Sequence, residues 1–167
     1  DPLIIEYAKS FFPVLLIVLV LRSFLIEPFQ IPTGSMIPTL EVGDFILVNK
    51  YAYGVRLPII GTKLMDIADP KRGEVMVFIP PHENKYYIKR VIGLPGDEIR
   101  YENKQLFING KLINRILHQK YSYAFNEDDT IDAKEFIETL GDSEHSMLIH
   151  DVPSENYNFN VPEGHYF

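Results

Sequence analysis

An antiparallel, mostly β domain led by one membrane-length apolar helix is the architecture these 167 residues predict. Three observations predict it. Residues 11–26 carry a single charge, Arg22. From residue 27 onward the chain breaks into short apolar runs punctuated by Gly and Pro. The dipeptide Asn109-Gly110 lies between two of those runs. The first observation is the mark of a bilayer span, the others of paired strands.

The helix comes first. Residues 11–26 read FFPVLLIVLVLRSFLI, and extension back to Leu3 adds Glu6 and Lys9. At ~1.5 Å per residue the inner run covers about 24 Å and the longer one about 36 Å, against a hydrocarbon core of about 30 Å. Lys9 and Arg22 can snorkel to opposite interfaces. Pro13 sits near the start, where its missing N–H costs least. A cleaved signal peptide would need small residues at a cut site, which Ser23-Phe24-Leu25 does not provide. A buried core helix would show a polar stripe, and residues 14–21 have none. One basic residue on each flank leaves orientation unread.

Strands follow. Glu27-Pro28, Ile31-Pro32 and Ile37-Pro38 bias their first residues away from helix. After the turn Gly43-Asp44, residues 45–48 read as a strand, as do residues 74–79 after Pro70-Lys71-Arg72-Gly73. Residues 86–92 form another, ending at Gly93-Leu94-Pro95-Gly96-Asp97. Residues 98–101, 106–108 and 111–113 complete the set, the last two joined by the Asn109-Gly110 hairpin. Residues 127–144 are acidic and predict a solvated insertion with a short helix over 133–140. They are not a calcium loop, because Asp128, Asp129 and Asp132 lack the turn glycine and the closing glutamate. The expected division is a membrane helix over 1–26 and one domain over 27–167, with roughly 98–160 a β-rich variable insert.

Composition narrows the chemistry. A formal charge of −7 gives nucleic acid little to bind. Cysteine is absent, which removes disulfides and thiolate metal sites. His82, His118, His145, His150 and His165 form no metal-binding spacing, and no phosphate-binding glycine loop occurs. No cofactor and no metal are therefore expected. Ser35 is different: Gly34 precedes it and Pro32 and Pro38 stiffen the segment, which suits an oriented nucleophile. Serine beside glycine is also ordinary turn composition. Without a convincing histidine, the base available to such a serine is Lys89, in the apolar run 86–92. Alternation puts Tyr87, Lys89 and Val91 on one face and Ile88 and Arg90 on the other. A lysine acts as a base only when neutral, and free lysine titrates near 10.4, so burial of the ammonium is expected. A snorkelling surface lysine is the plain alternative.

Five motifs then align with one family. PTGSMIPTL (32–40), GDFILVNKYAYGVRLP (43–58), KRGEVMVFIPP (71–81), YYIKRVIGLPGD (86–97) and VPEGHYF (161–167) resemble bacterial type I signal peptidase, in the family's order. The resemblance implies a β peptidase domain outside the cytoplasmic (inner) membrane, tethered by the preceding helix. It implies an endopeptidase that removes signal peptides from exported preproteins after small, Ala-x-Ala-like residues, with signal peptides and membrane lipid as its partners. It implies Ser35 as nucleophile, Lys89 as general base, and an oxyanion hole from the Ser35 N–H and the Thr33 hydroxyl. Matching positions make Phe29, Ile31, Pro32, Met36, Leu40, Ile46, Val77, Tyr87 and Ile88 the lining for an extended substrate strand. That substrate is expected beside residues 29–33 and the strand of Lys89.

One departure accompanies the match. Family members continue past VPEGHYF into a glycine-, aspartate- and asparagine-rich box. That box supplies a second serine near the lysine and an Asp–Arg pair bracing the site. This sequence ends at Phe167, so weak or no activity is expected of these residues alone, and an initial Asp1 suggests a further helix upstream. A binding-only relative would share the pockets without needing Ser35 or Lys89. The related Ser/Lys self-cleaving repressors join their peptidase to a DNA-binding domain, which residues 11–26 do not resemble.

Overall fold

The computed structural model describes residues 2–56, 63–124 and 129–167. The end of the 43–58 motif, and Glu127 and Asp128 of the acidic stretch, lie outside the described residues. Two compact units form, Asp1–Ile31 with Gly43–Asp69, and Pro32–Val42 with Pro70–Phe167.

The first unit begins with α1 (Leu3–Val20), which continues as one π-helical turn over Leu21–Leu25. The continuous 23-residue run Leu3–Leu25 is long and apolar enough to cross a membrane, and none of it is buried in the protein. Its length of about 34 Å exceeds a hydrocarbon core of about 30 Å. A helix apolar on every side is stable only where its surroundings are apolar too. Its last carbonyls need donors. The Lys50 ammonium lies 3.4 Å from the Arg22 carbonyl and 3.1 Å from the Glu27 carboxylate.

Strand β1 (Ile26–Gln30) pairs antiparallel with β2 (Phe45–Asn49), Phe29 opposite Ile46. The pair is extended by the Ile31 N–H to the Asp44 carbonyl and the Gly43 N–H to the Ile31 carbonyl, each 2.9 Å. Alternation leaves Ile26, Pro28, Phe45 and Leu47 exposed, with Phe29, Ile46 and Val48 half-buried. A second antiparallel pair joins β3 (Gly54–Arg56) to β4 (Lys63–Asp66).

Among the described residues the second unit holds three sheets. Strand β5 (Val75–Phe78) pairs with β6 (Tyr87–Arg90), Met76 opposite Lys89 and Val77 opposite Ile88. Strands β7 (Glu98–Glu102), β8 (Gln105–Ile108) and β9 (Lys111–Leu112) form a meander, and β13 (Tyr157–Asn160) adds to the outer edge of β7. The predicted Asn109-Gly110 hairpin is present, with φ of 52° and 75° as a two-residue turn of this composition requires. Strands β10 (Arg115–Ala124), β11 (Thr130–Leu140) and β12 (Ser143–His150) make a three-stranded sheet with β11 in the middle.

The expected helix over 133–140 is thus a central strand. Its residues favour helix locally, but pairing on both edges outweighs a preference of a few tenths of a kcal/mol per residue. Glu135 and Glu138, read as surface charges, are buried. The Gln119 amide donates to Glu135 at 2.7 Å. Hydrogen bonds, first from Ser146 and then from Gln119, hold the Glu135 carboxyl below its usual range.

The core of this unit is Ile99, Leu106, Ile108, Leu140 and Val161, closed by Ile92, Tyr101, Ile113 and Phe159. Asp97 stands at its margin, 7% exposed. Burial would raise its carboxyl, yet bonds from the Leu94 N–H, the Asn109 amide and Arg72 outweigh that and hold it below the usual range. The Arg72 contact is 2.8 Å and the Asn109 contact 2.7 Å. The C-terminal Phe167 pairs through its backbone with Gly93, at 3.0 and 2.9 Å. It thereby seats VPEGHYF beside the continuation of β6.

Candidate active site

Thr33 has extended backbone, φ −141° and ψ 150°, and leads into a one-turn 3-10 helix over Gly34–Met36. The first bond inside that turn runs from the Ile37 N–H to the Gly34 carbonyl, 3.2 Å, so the Ser35 N–H lies outside the turn's own bonding. The Thr33 hydroxyl makes no cap bond to the turn. Gly34 makes room for the flexible tip of Ile37 and does not rely on unusual dihedrals. Its φ is not positive, but an added Cβ would stand 2.8 Å from Ile37 Cδ1. Met36 is buried beneath the turn, and the Leu40 N–H donates to its carbonyl at 3.0 Å. The Ile37–Pro38 peptide is cis.

Lys89 reaches this turn from the middle of β6. Its Nζ is 2.7 Å from Ser35 Oγ, across 54 residues of sequence. Both side chains open onto a cavity of about 1030 Å³, walled by Met76 and Phe78 from β5, Met147 and Leu148 from β12, and Tyr166 and Phe167. The wall is largely apolar, so a polypeptide entering it exchanges water for side-chain contact. Lys89 itself is exposed, contrary to the burial expected of it. β5 and β6 form a sheet of only two strands, and Lys89 stands on its cavity face rather than in an interior.

A family model described as "Signal peptidase, peptidase S26" matches residues 4–167. The chain belongs to that family. A protein named Signal peptidase I from Pseudomonas aeruginosa is 54% identical across all of this chain and 59% of its own length. Its counterpart from Pseudomonas fluorescens is 53% identical with the same coverage. One from Rickettsia akari is 36% identical over 92% of this chain and 64% of its own length. The chain therefore spans about three fifths of the length of the Pseudomonas relatives it matches.

Within this peptidase S26 chain the nine residues anticipated as substrate lining fall into separate groups. Met36 lines the cavity with Ser35 and Lys89. Val77 and Ile88 face each other across β5 and β6 and are half-buried, and Tyr87 lies opposite Phe78. The Tyr87 hydroxyl donates to Glu83 at 2.8 Å; that bond, then burial, then the Glu83 charge raise its pKa. Leu40 is half-buried after the serine's turn, and Pro32 is exposed before it. Phe29 and Ile46 are half-buried partners in the first unit, where Ile31 is 3% exposed.

The cavity also contains Arg90, Glu138 and His145, which sequence reasoning passed over. Nothing local flagged them. Arg90 alternates away from Lys89 in an ideal strand, Glu138 sat in the 127–144 stretch read as solvated, and His145 was one of five histidines without a metal-binding spacing.

Proposed function

We propose that this chain is the anchored, catalytic part of an endopeptidase that removes signal peptides from exported preproteins. The observation that carries this is the 2.7 Å contact between Lys89 Nζ and Ser35 Oγ on the edge of a peptide-sized apolar cavity. A serine and an amine at hydrogen-bond distance are what activation of a hydroxyl requires. In the reaction neutral Lys89 takes the Ser35 proton as Oγ attacks the scissile carbonyl. The oxyanion that forms accepts bonds from the Ser35 N–H and the Thr33 hydroxyl. The lysine then delivers its proton to the leaving amine, and water, deprotonated by the same lysine, hydrolyses the ester.

Small side chains before the cut follow from shallow pockets, which larger groups would overfill. Phe29, Ile31, Pro32, Met36, Leu40, Ile46, Val77, Tyr87 and Ile88 are our assignment for that lining. In this reading the reaction takes place at the cytoplasmic membrane, with the β domain on its outer side, where an exported segment emerges; the apolar Leu3–Leu25 helix supports an anchor. Anchoring raises the enzyme's effective concentration beside a substrate held in the same bilayer. Membrane lipid is then the helix's solvent.

The test is cleavage of a preprotein in detergent by the full-length protein, with both products weighed. One cut directly after an Ala-x-Ala site supports the reading. Intact preprotein, or cuts scattered through the mature part, would overturn it.

A further inference from the structure

We propose that Arg90 is a positioning residue for the Ser35–Lys89 pair, tying the strand that carries the lysine to the turn that carries the serine. The inference rests on the dyad chemistry proposed above. Arg90 follows Lys89 directly at the end of β6. Its Nη2 lies 3.4 Å from the Thr39 hydroxyl oxygen, four residues after Ser35 and on the same constrained segment. Its Nη1 donates to the Gly73 carbonyl at 2.6 Å.

Each end of this bridge is itself fixed. Gly73 has a φ of 90°, its N–H donates to the Val91 carbonyl at 2.7 Å, and an added Cβ would stand 2.7 Å from Ser143 Cβ. On the other side, the Leu40 N–H bond to Met36 closes the segment that holds Thr39 onto the residue after Ser35. One planar guanidinium thus bridges two backbone segments, a task its fork of donors suits and an ammonium does not.

The half-buried cation also has an anionic neighbour. Glu138 on β11 is 5% exposed and lines the same cavity as Arg90, Thr39 and the dyad. Burial works against the Arg90 charge and the Glu138 carboxylate works for it. His145 Nε2 stands 3.4 Å from Glu138 on the far side, and His145 Nδ1 is buried without a partner. The guanidinium's hydrogen bonds go to Gly73 and Thr39, so its contribution is to geometry.

The experiment uses full-length protein in detergent and a peptide with an Ala-x-Ala site. Arg90→Ala should lower kcat about 100-fold, the penalty of a misplaced dyad, while KM changes less than about threefold. Added guanidinium at a non-denaturing concentration should restore part of kcat, and sodium chloride at equal ionic strength should not. Arg90→Lys should fall between. Thr39→Val removes only the exposed acceptor; it should cost about three- to tenfold in kcat and be non-additive with Arg90→Lys. A kcat within threefold of wild type for folded Arg90→Ala, or rescue by salt alone, would overturn the assignment. If Arg90→Ala does not fold, unchanged kcat in both Arg90→Lys and Thr39→Val overturns it equally. Ser35→Ala separates the two levels. If it still cleaves, the dyad reading itself falls; if it is dead while Arg90→Ala is fully active, only the positioning role falls.

Discussion

Asp97 and Lys89 stand eight residues apart on one motif, and the protein treats their charges in opposite ways. Asp97 is 7% exposed and receives the Leu94 N–H, the Asn109 amide and Arg72. Lys89 is exposed on a cavity wall, its Nζ set against Ser35 Oγ. A charge used for structure is saturated with partners, because an unsatisfied buried ion is costly. A group used for proton transfer must keep capacity for a new partner. The contrast predicts that substitutions near Asp97 and the core cost stability, while substitutions near Lys89 cost rate.

The largest effect expected on stability is at Asp97 itself. Asp97→Ala leaves Arg72 without its carboxylate and should cost about 4 kcal/mol, read from the urea midpoint. The same carboxyl has a pH signature. Its folded value is depressed, so its contribution is complete above the unfolded value of about 3.9 and is lost as pH falls through the folded value. Stability of Asp97→Asn should therefore be flatter on the acid side than that of wild type. Ile99→Ala, at a position with 0% exposure, should cost about 3 kcal/mol through transfer and cavity terms. Either variant with wild-type stability would break the structural half of the contrast.

Thr33→Val tests the other half. Loss of one oxyanion donor should lower kcat by about 100-fold, equivalent to about 2.7 kcal/mol, with an unchanged urea midpoint. A shifted midpoint with unchanged kcat would make Thr33 a structural residue. Smallest of all is Lys50→Ala, which removes a part-exposed pair with Glu27 and should change stability by less than about 0.5 kcal/mol.

The fold was legible where short-range chemistry decides it. The Asn109-Gly110 turn, the strands on either side of it, and the apolar helix all follow from local composition. The β10–β12 sheet was not, because residues 133–140 favour helix until partners exist on both sides. The serine and lysine could be singled out by residue type and by resemblance, but their 2.7 Å approach spans 54 residues and is a product of tertiary packing. Arg90 and Glu138 were illegible for the same reason. The meaning of Arg90 lies in the Thr39 and Gly73 atoms it meets, and that of Glu138 in its place beside Arg90, which no periodicity announces. Burial of Lys89 was inferred from an apolar run, yet in a two-stranded sheet an apolar run does not bury both faces.

The central claim is that Ser35 and Lys89 together perform the cleavage. Its most direct test is kcat/KM on one preprotein for the full-length protein and for its Ser35→Ala and Lys89→Ala variants, with urea midpoints recorded alongside. The account predicts that each variant loses at least about a thousandfold while remaining as stable as wild type, as expected for members of one nucleophile–base unit. Activity within tenfold of wild type in either folded variant would contradict it.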